Sequence, residues 1–213
     1  MSAIHITLAV EDELSERVAR KMLRQSEQEF AVTQCLGKKG FGYLKSRINK
    51  LNQAAKGLPF FVLTDQDNGC PPDKIREWLR DEIHPNMIFR IAVMEIESWI
   101  MAHRAAFAEF LEIPKEKIPL QTDEIPDPKQ FLLNLARKSR AHRLKQDLLP
   151  AGGSTSTQGP DYNGRLCLFV DEYWDVHQAR LHSESLNRAC IRLQAFQAKY
   201  HPASRSSLPE RRT

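Results

Sequence analysis

The 213-residue chain has an ordinary globular composition, with 41% hydrophobic and 27% charged residues, enough apolar material for one core with an extension. Its apolar runs fall far short of the roughly 20 residues of a membrane helix, and its start lacks the basic and apolar regions of a signal peptide. We therefore expect a cytoplasmic protein without a membrane partner. The net charge of +4 suits a polyanionic partner without requiring one.

Cysteine and histidine spacings give little support for a transition-metal site. The four cysteines lie far apart without a Cys-x-x-Cys pair, and the seven histidines form no His-Glu-x-x-His motif. Zinc ribbons and zinc hydrolases are therefore disfavoured.

Strand and helix patterns alternate through the first half of the chain. Apolar, β-branched runs predict strands at Ile4–Val10 and at residues 30–36, 59–64 and 87–94. Helical patterns start at Leu14 and near Glu95, and they cover residues 43–55 and 73–82. This alternation with short connections is typical of a parallel sheet flanked by helices, so we expect an α/β, Rossmann-like fold.

The composition changes near residue 112 to proline-punctuated, mainly helical sequence. We therefore predict an α/β domain at 1–111, a mainly helical extension at 112–201 and a disordered tail at 202–213. Within the extension we predict a strand at 166–170 and a helix at 183–199. The preceding GPDYNGRL is interpreted as a tight turn or, alternatively, as a loop that places Tyr162, Asn163 and Arg165 near a substrate.

Acidic residues follow three of the predicted strands. Parallel strands end at one edge of a sheet, where α/β proteins bind ligands, so five carboxylates should share one neighbourhood. A hard cation such as Mg²⁺ or Mn²⁺ relieves their repulsion and takes oxygen ligands, and two such ions stabilise both oxygens of a phosphodiester displacement. The candidate metal ligands and catalytic residues are Glu11, Asp65, Asp67, Glu95 and Glu97.

Each acid also has a structural interpretation. Acids after the first strand suit the start of the following helix, which Asp12 or Ser15 would cap. Asp67 begins an Asp-Asn-Gly turn sequence. Glu97 would then be a solvated residue in the first turn of a helix, and Trp99 would be a core residue.

Three short motifs resemble the Toprim domain of topoisomerases, DnaG-type primases and OLD-family nucleases. They are VEDELSE after the first strand, TDQD after the third and MEIESW after the fourth. The resemblance covers residues 4–110 and is closest to small stand-alone Toprim-like proteins of bacterial genomes, some of them associated with phage defence.

The resemblance implies roles for individual acids. In the Toprim family the first glutamate and the Asp-x-Asp pair hold magnesium, which implies Glu11, Asp65 and Asp67 here. The Glu-x-Glu pair of the nuclease-like branch implies Glu95 and Glu97. The family usually has glycine after its first glutamate, whereas this chain has Asp12 there and one additional residue before Ser15-Glu16. This leaves Glu16 in doubt as a ligand and Asp12 as a substitute.

Two other acid motifs fit less well. The Asp-x-Asp motif of haloacid-dehalogenase phosphatases follows the first strand of that fold, whereas here the motif follows the third. An EF-hand loop would need its bidentate glutamate where Arg76 stands.

Two basic segments are candidates for nucleic-acid binding. One surrounds the glycine-rich GKKGFG, and the other is RKSRAHRLK. A run of charges often forms only a solvated helix face, but beside an acidic metal site it would supply the grip on phosphates. The candidates are Lys38, Lys39, Lys45, Arg137, Lys138, Arg140 and Arg143, of which Lys39, Lys45 or Arg140 would stabilise the leaving charge.

Together these features predict a Mg²⁺-dependent nuclease that cleaves DNA or RNA, in phage defence or DNA repair. The alternative is a non-catalytic Toprim-like module that binds nucleic acid or a companion ATPase, since the chain has no Walker motif.

Overall fold

A computed structural model describes residues 3–38, 41–66 and 71–199. Four strands in these ranges form a single sheet in which every neighbouring pair is parallel. The strands are β1 (Ile4–Val10), β2 (Phe30–Gly37), β3 (Phe60–Asp65) and β4 (Met87–Ala92). Their order in the sheet is β2-β1-β3-β4, and helices flank the sheet, which confirms the predicted α/β, Rossmann-like fold.

The helices of the first half follow the predicted order with two differences. The helix predicted at 73–82 ends earlier, at Trp78. The predicted helix after Glu95 is interrupted at His103, whose φ of −77° and ψ of 65° separate two short helices. The helices in this half are α1 (Glu13–Arg24), α2 (Phe41–Ala54), α3 (Pro71–Trp78), α4 (Ile96–Ala102) and α5 (Arg104–Phe110).

The second half is helical, as predicted. Two 3₁₀ turns, Lys115–Lys117 and Thr122–Glu124, precede the first of its α-helices. The α-helices are α6 (Pro128–Arg137), α7 (His142–Leu148), α8 (Tyr162–Glu172), α9 (Val176–Ala179) and α10 (Glu184–Gln194). None of the helices in the described ranges has the length and apolar character needed to span a bilayer.

Alternating side chains of the strands build two apolar layers. Leu8 and Val10 of β1 face α1 and α4, whereas Ala9 between them faces α2 and α3. β1, β3 and β4 are therefore buried on both faces, as expected for strands of a parallel sheet between helices, whereas β2, at the edge of the sheet, is only partly covered. Trp99 belongs to the first layer and is fully buried, which confirms its predicted place in the core.

Residues 112–199, which we call the C-terminal segment, share the first of these apolar layers with α1 and α4. Polar contacts fasten the same surfaces together. Arg17 of α1 binds Asp171 of α8 at 2.9 Å, and Gln25 donates a hydrogen bond to Asp175 at 3.1 Å. The boundary at residue 111 stays a prediction, and the predicted tail lies outside the described residues.

The predicted strand at 166–170 is wrong. These residues lie inside α8, where Leu166, Phe169 and Val170 are buried while Leu168 is 41% exposed. This spacing of three and four residues is helical, but five consecutive apolar residues conceal it, because a short apolar run does not distinguish strand from helix. The predicted helix at 183–199 likewise ends earlier, at Gln194.

Candidate metal centre

The carboxyl ends of β1, β3 and β4 lie side by side at one edge of the sheet. The strand order changes direction between β1 and β3, and sheets of this kind bind ligands at such a point. Glu11, directly after β1, accepts hydrogen bonds from the Thr64 hydroxyl and, at 3.2 Å, from the Asp65 amide of β3. The first two predicted site residues are therefore in direct contact.

Glu95 and Glu97 follow β4 through a tight turn. Met94 has a φ of 67°, in the left-handed region that non-glycine residues seldom adopt, and this turn leads into α4. The Glu95 carboxylate does not cap its own helix but accepts a hydrogen bond from the Lys129 amide at 2.8 Å, in the first turn of α6.

Glu97 points into the protein. It is 6% exposed, and its Oε1 accepts a hydrogen bond from the Tyr162 hydroxyl at 3.0 Å. The interpretation of Glu97 as a solvated residue is therefore wrong. Within the described ranges its carboxylate forms no ion pair with a lysine, arginine or histidine.

The acids at this edge act on one another electrostatically. Burial raises the pKa of Asp65 well above its usual range, and the negative charges of Glu97, Glu11, Asp12 and Glu95 raise it further. Neighbouring carboxylates disfavour each other's ionisation. The four strand-end acids that the structure describes therefore lie within one electrostatic neighbourhood.

Glu97 shows the same effect. Burial and the charge of Glu95 raise the pKa of Glu97 to about 7, against smaller opposing effects of the Lys129 ammonium and the Tyr162 hydroxyl. A carboxyl group with this pKa exchanges its proton near neutral pH, which is a frequent property of functional sites.

Asp12 and Glu16, by contrast, have structural partners. Asp12 caps α1 by accepting a hydrogen bond from the Ser15 amide at 2.8 Å. Glu16 binds Lys38 at 2.6 Å and Arg20 at 2.8 Å. Although burial opposes the shift, hydrogen bonds from these two cations lower the pKa of Glu16.

A glycine positions this ion pair. Gly37, at the end of β2, has a φ of 111°, and a Cβ there would collide with the Val10 carbonyl oxygen. The tight crossing brings Lys38 beside β1, where its amide donates to Val10 at 3.2 Å and its ammonium reaches Glu16. Lys38, a predicted nucleic-acid contact, is therefore bound to Glu16 in this structure.

Two residues of the C-terminal segment join the site. The sequence pattern predicts Tyr162 only as a loop or turn residue before a strand, and it indicates no role for Lys129. The Lys129 Nζ lies 5.3 Å from the centre of the Tyr162 ring. One sequence signal was present: Asp127 caps α6 at the Gln130 amide, at 2.8 Å, and proline follows it, which marks a helix start.

The remaining basic residues lie in two places. Lys45 of α2 binds Glu77 of α3 at 2.6 Å. Four exposed cations at the end of α6 and the start of α7 form no ion pair with any carboxylate in the described part of the chain, and we call them the basic patch: Arg137, Lys138, Arg140 and Arg143.

The basic patch and the acids lie at opposite ends of one helix. Lys129 is in the first turn of α6 and Arg137 is its last residue, so the patch begins about 12 Å along the helix axis from the Glu95 contact. Lys39 and Asp67, the other two predicted site residues, lie outside the described residues.

In the described ranges, no three or more His, Cys, Asp and Glu side chains are grouped closely enough to hold a metal ion. Glu11, Glu95 and Glu97 each accept a hydrogen bond from the protein instead. Comparisons of the chain with protein-family models, curated proteins and solved structures find no match. The resemblance to Toprim domains therefore stays a prediction.

Proposed function

We propose that this protein is a Mg²⁺- or Mn²⁺-dependent nuclease that hydrolyses phosphodiester bonds of nucleic acid in the cytoplasm, with DNA as the first substrate to test. One observation supports it above the others. The ends of three neighbouring parallel strands place Glu11, Glu95 and Glu97 where the charge of each raises the pKa of Asp65.

The donor chemistry of the described acids, though not the present spacing of their side chains, suits a hard divalent cation. All donors are carboxylate oxygens, the ligands that Mg²⁺ and Mn²⁺ prefer. Burial and mutual repulsion raise the pKa of Asp65 and of Glu97, and a cation would favour their ionised forms. Glu11, Asp65 and Glu97 would hold the ion, with Asp67 and Glu95 as further ligands. When bound, the ion supplies a water of lowered pKa and neutralises charge on the phosphate.

The chain itself supplies the attraction for a polyanion. A cluster of carboxylates repels phosphate, whereas the basic patch at the end of α6 presents four exposed cations. Contacts of this kind bind the nucleic-acid backbone without reading its sequence. The Lys129 ammonium, close enough to lower the pKa of Glu97, offsets part of the negative charge between the patch and the acids.

A plasmid-cleavage assay tests the proposal. Purified protein should nick or cut plasmid DNA with Mg²⁺ or Mn²⁺ and should be inactive in EDTA. Asp65→Asn and Glu11→Gln should each abolish cleavage. Glu116→Gln, which changes an exposed acid in a 3₁₀ turn, is the matched control and should cleave like the wild type. Cleavage that survives both site substitutions would overturn the proposal.

Metal titration separates this function from its alternative. Calorimetry should show binding of Mn²⁺ or Mg²⁺ by the wild type and weak or no binding by Asp65→Asn. A protein that binds nucleic acid but neither ion at millimolar concentration would instead be a non-catalytic module, and a companion ATPase would become the partner to seek.

A further inference from the structure

Two hydrogen bonds to the acids of the proposed metal centre come from the C-terminal segment. The Tyr162 hydroxyl, at the start of α8, donates to Glu97 at 3.0 Å. The Lys129 amide, in the first turn of α6, donates to Glu95 at 2.8 Å. Both donors lie outside the segment that carries the acids.

The Tyr162–Glu97 contact is buried at both ends. Tyr162 is 1% exposed and Glu97 is 6% exposed, so water cannot easily replace either partner. A tyrosine hydroxyl is protonated at neutral pH and donates one hydrogen bond. Because Oε1 of Glu97 accepts that bond, the bond restricts the rotation of the carboxylate group. The direction of the second oxygen, Oε2, is thereby restricted as well.

We propose that Tyr162 is a positioning residue of the metal centre, whose hydroxyl orients the Glu97 carboxylate for cation binding, so that the C-terminal segment is part of the site. The inference rests on the proposed function, since it concerns the same acids. Carboxylates that bind metals are themselves held by hydrogen bonds, and loss of such a partner typically costs about 10- to 100-fold in metal affinity.

A purely structural role is the competing explanation. A buried tyrosine with a satisfied hydroxyl stabilises a fold whether or not a metal binds. The two roles differ in what the hydroxyl controls. A structural role changes the unfolding temperature and leaves the metal affinity of the folded protein unchanged, whereas a positioning role changes the affinity itself.

The test compares the two tyrosines at the two ends of α8 in the whole 213-residue chain. Tyr162→Phe keeps the ring and removes only the hydroxyl. Tyr173→Phe, at the end of α8 and 55% exposed, is the matched control. Calorimetric titration with Mn²⁺ should show an affinity about 10-fold or more lower for Tyr162→Phe and an unchanged affinity for Tyr173→Phe, with thermal unfolding in EDTA confirming that both variants fold.

Each other outcome is decisive. Equal Mn²⁺ affinity of the wild type and a folded Tyr162→Phe would overturn this inference alone. A wild type that binds no Mn²⁺ would overturn the proposed function together with the inference. Should Tyr162→Phe not fold, the wild type still decides the matter: Mn²⁺ should change the near-ultraviolet tyrosine difference spectrum of wild type and Tyr173→Phe alike, and an unchanged spectrum would overturn the inference.

Discussion

Glu16 in α1 and Glu97 in α4 are almost equally inaccessible to solvent, at 7% and 6% exposure, but Glu97 lies deeper in the protein and the charges around the two acids differ in sign. Glu16 lies between two cations, Lys38 at 2.6 Å and Arg20 at 2.8 Å. Glu97 lies beside a tyrosine hydroxyl at 3.0 Å and within the field of Glu95. The pKa of Glu16 is lowered, and the pKa of Glu97 is raised to about 7.

The difference shows how the chain handles two buried charges. Burial of a carboxylate is unfavourable unless the group is paired or protonated. Around Glu16, Lys38 and Arg20 offset this cost, so the Glu16 carboxylate has a structural role. The region around Glu97 gathers further acids, and such an arrangement favours a proton or a cation taken from solution.

Metal binding should show the largest contrast between the two regions. Glu97→Gln removes a proposed ligand, so we expect Mn²⁺ affinity to fall by at least about 100-fold, more than for loss of an outer partner. Glu16→Gln should leave the affinity within about 2-fold, because its carboxylate is already bound to Lys38 and Arg20. Calorimetry on both variants measures this. A comparable loss in Glu16→Gln would mean that the two regions form one site.

Stability of the metal-free protein should depend on pH through Glu97. Since its pKa rises from 4.5 to about 7 on folding, the native state binds more protons than the unfolded state between these values, and stability increases as pH falls from 8 towards 5. The gain is on the order of 3 kcal/mol.

Urea unfolding in EDTA at pH 8 and pH 5.5 measures this dependence. Glu97→Gln carries no titrating group at this position, so at pH 8 it should be more stable than the wild type, and its dependence on pH should be weaker. A Glu97→Gln variant that is less stable than the wild type at pH 8 would contradict the raised pKa.

The contrast between the regions also shows what the sequence could predict. Strand positions and the gathering of acids after β1, β3 and β4 follow from short apolar runs and from the shared edge of parallel strands. Whether an acid has a cation beside it does not follow, because the partner is set by tertiary packing. Tyr162 reaches Glu97 across 65 residues, and Lys129 reaches Glu95 across 34.

Local signals also failed where apolar residues ran together. LCLFV at 166–170 has the composition of a strand but forms part of α8. Its exposed member, Leu168, is itself apolar, so the sequence gives no sign of which residues face solvent. Because of this error the role of Tyr162 could not be predicted, since a strand at 166–170 would place Tyr162 in the turn before it. The helix instead places the tyrosine ring in the core and its hydroxyl at the site.

Substitution of Glu16 should give a smaller effect with the opposite sign. Glu16→Gln loses charge-assisted hydrogen bonds to two partly exposed cations, so we expect a loss of about 1 kcal/mol at pH 7. Because folding lowers the pKa of Glu16, this stabilisation is present above its unfolded pKa and is lost as pH falls through the folded pKa.

Urea unfolding at pH 7 and at pH 3.5 checks this. The wild type and Glu16→Gln should differ at pH 7 and converge at the lower pH. If the difference between the two proteins grew on acidification, the ion pair would not be its cause.

The distinction between charges that are paired within the protein and charges that are not also applies to the cations. It gives the smallest effect that we expect. Lys45 is bound to Glu77 at 2.6 Å, whereas Arg143 of the basic patch is exposed and forms no ion pair with described residues. Each phosphate contact contributes a slope of about 0.9 to the dependence of log affinity on log salt. Arg143→Ala should therefore reduce the slope by about that amount, and Lys45→Ala should leave it almost unchanged.

Fluorescence anisotropy of a labelled DNA duplex in EDTA, measured over a series of salt concentrations, separates these two cases without cleavage. Equal slopes for Arg143→Ala and the wild type would remove the basic patch from the interface. A slope reduced by Lys45→Ala would show that DNA displaces Glu77 from Lys45. An ion pair within the protein would then not show that a charged residue has a purely structural role. The same conclusion would apply to Glu16.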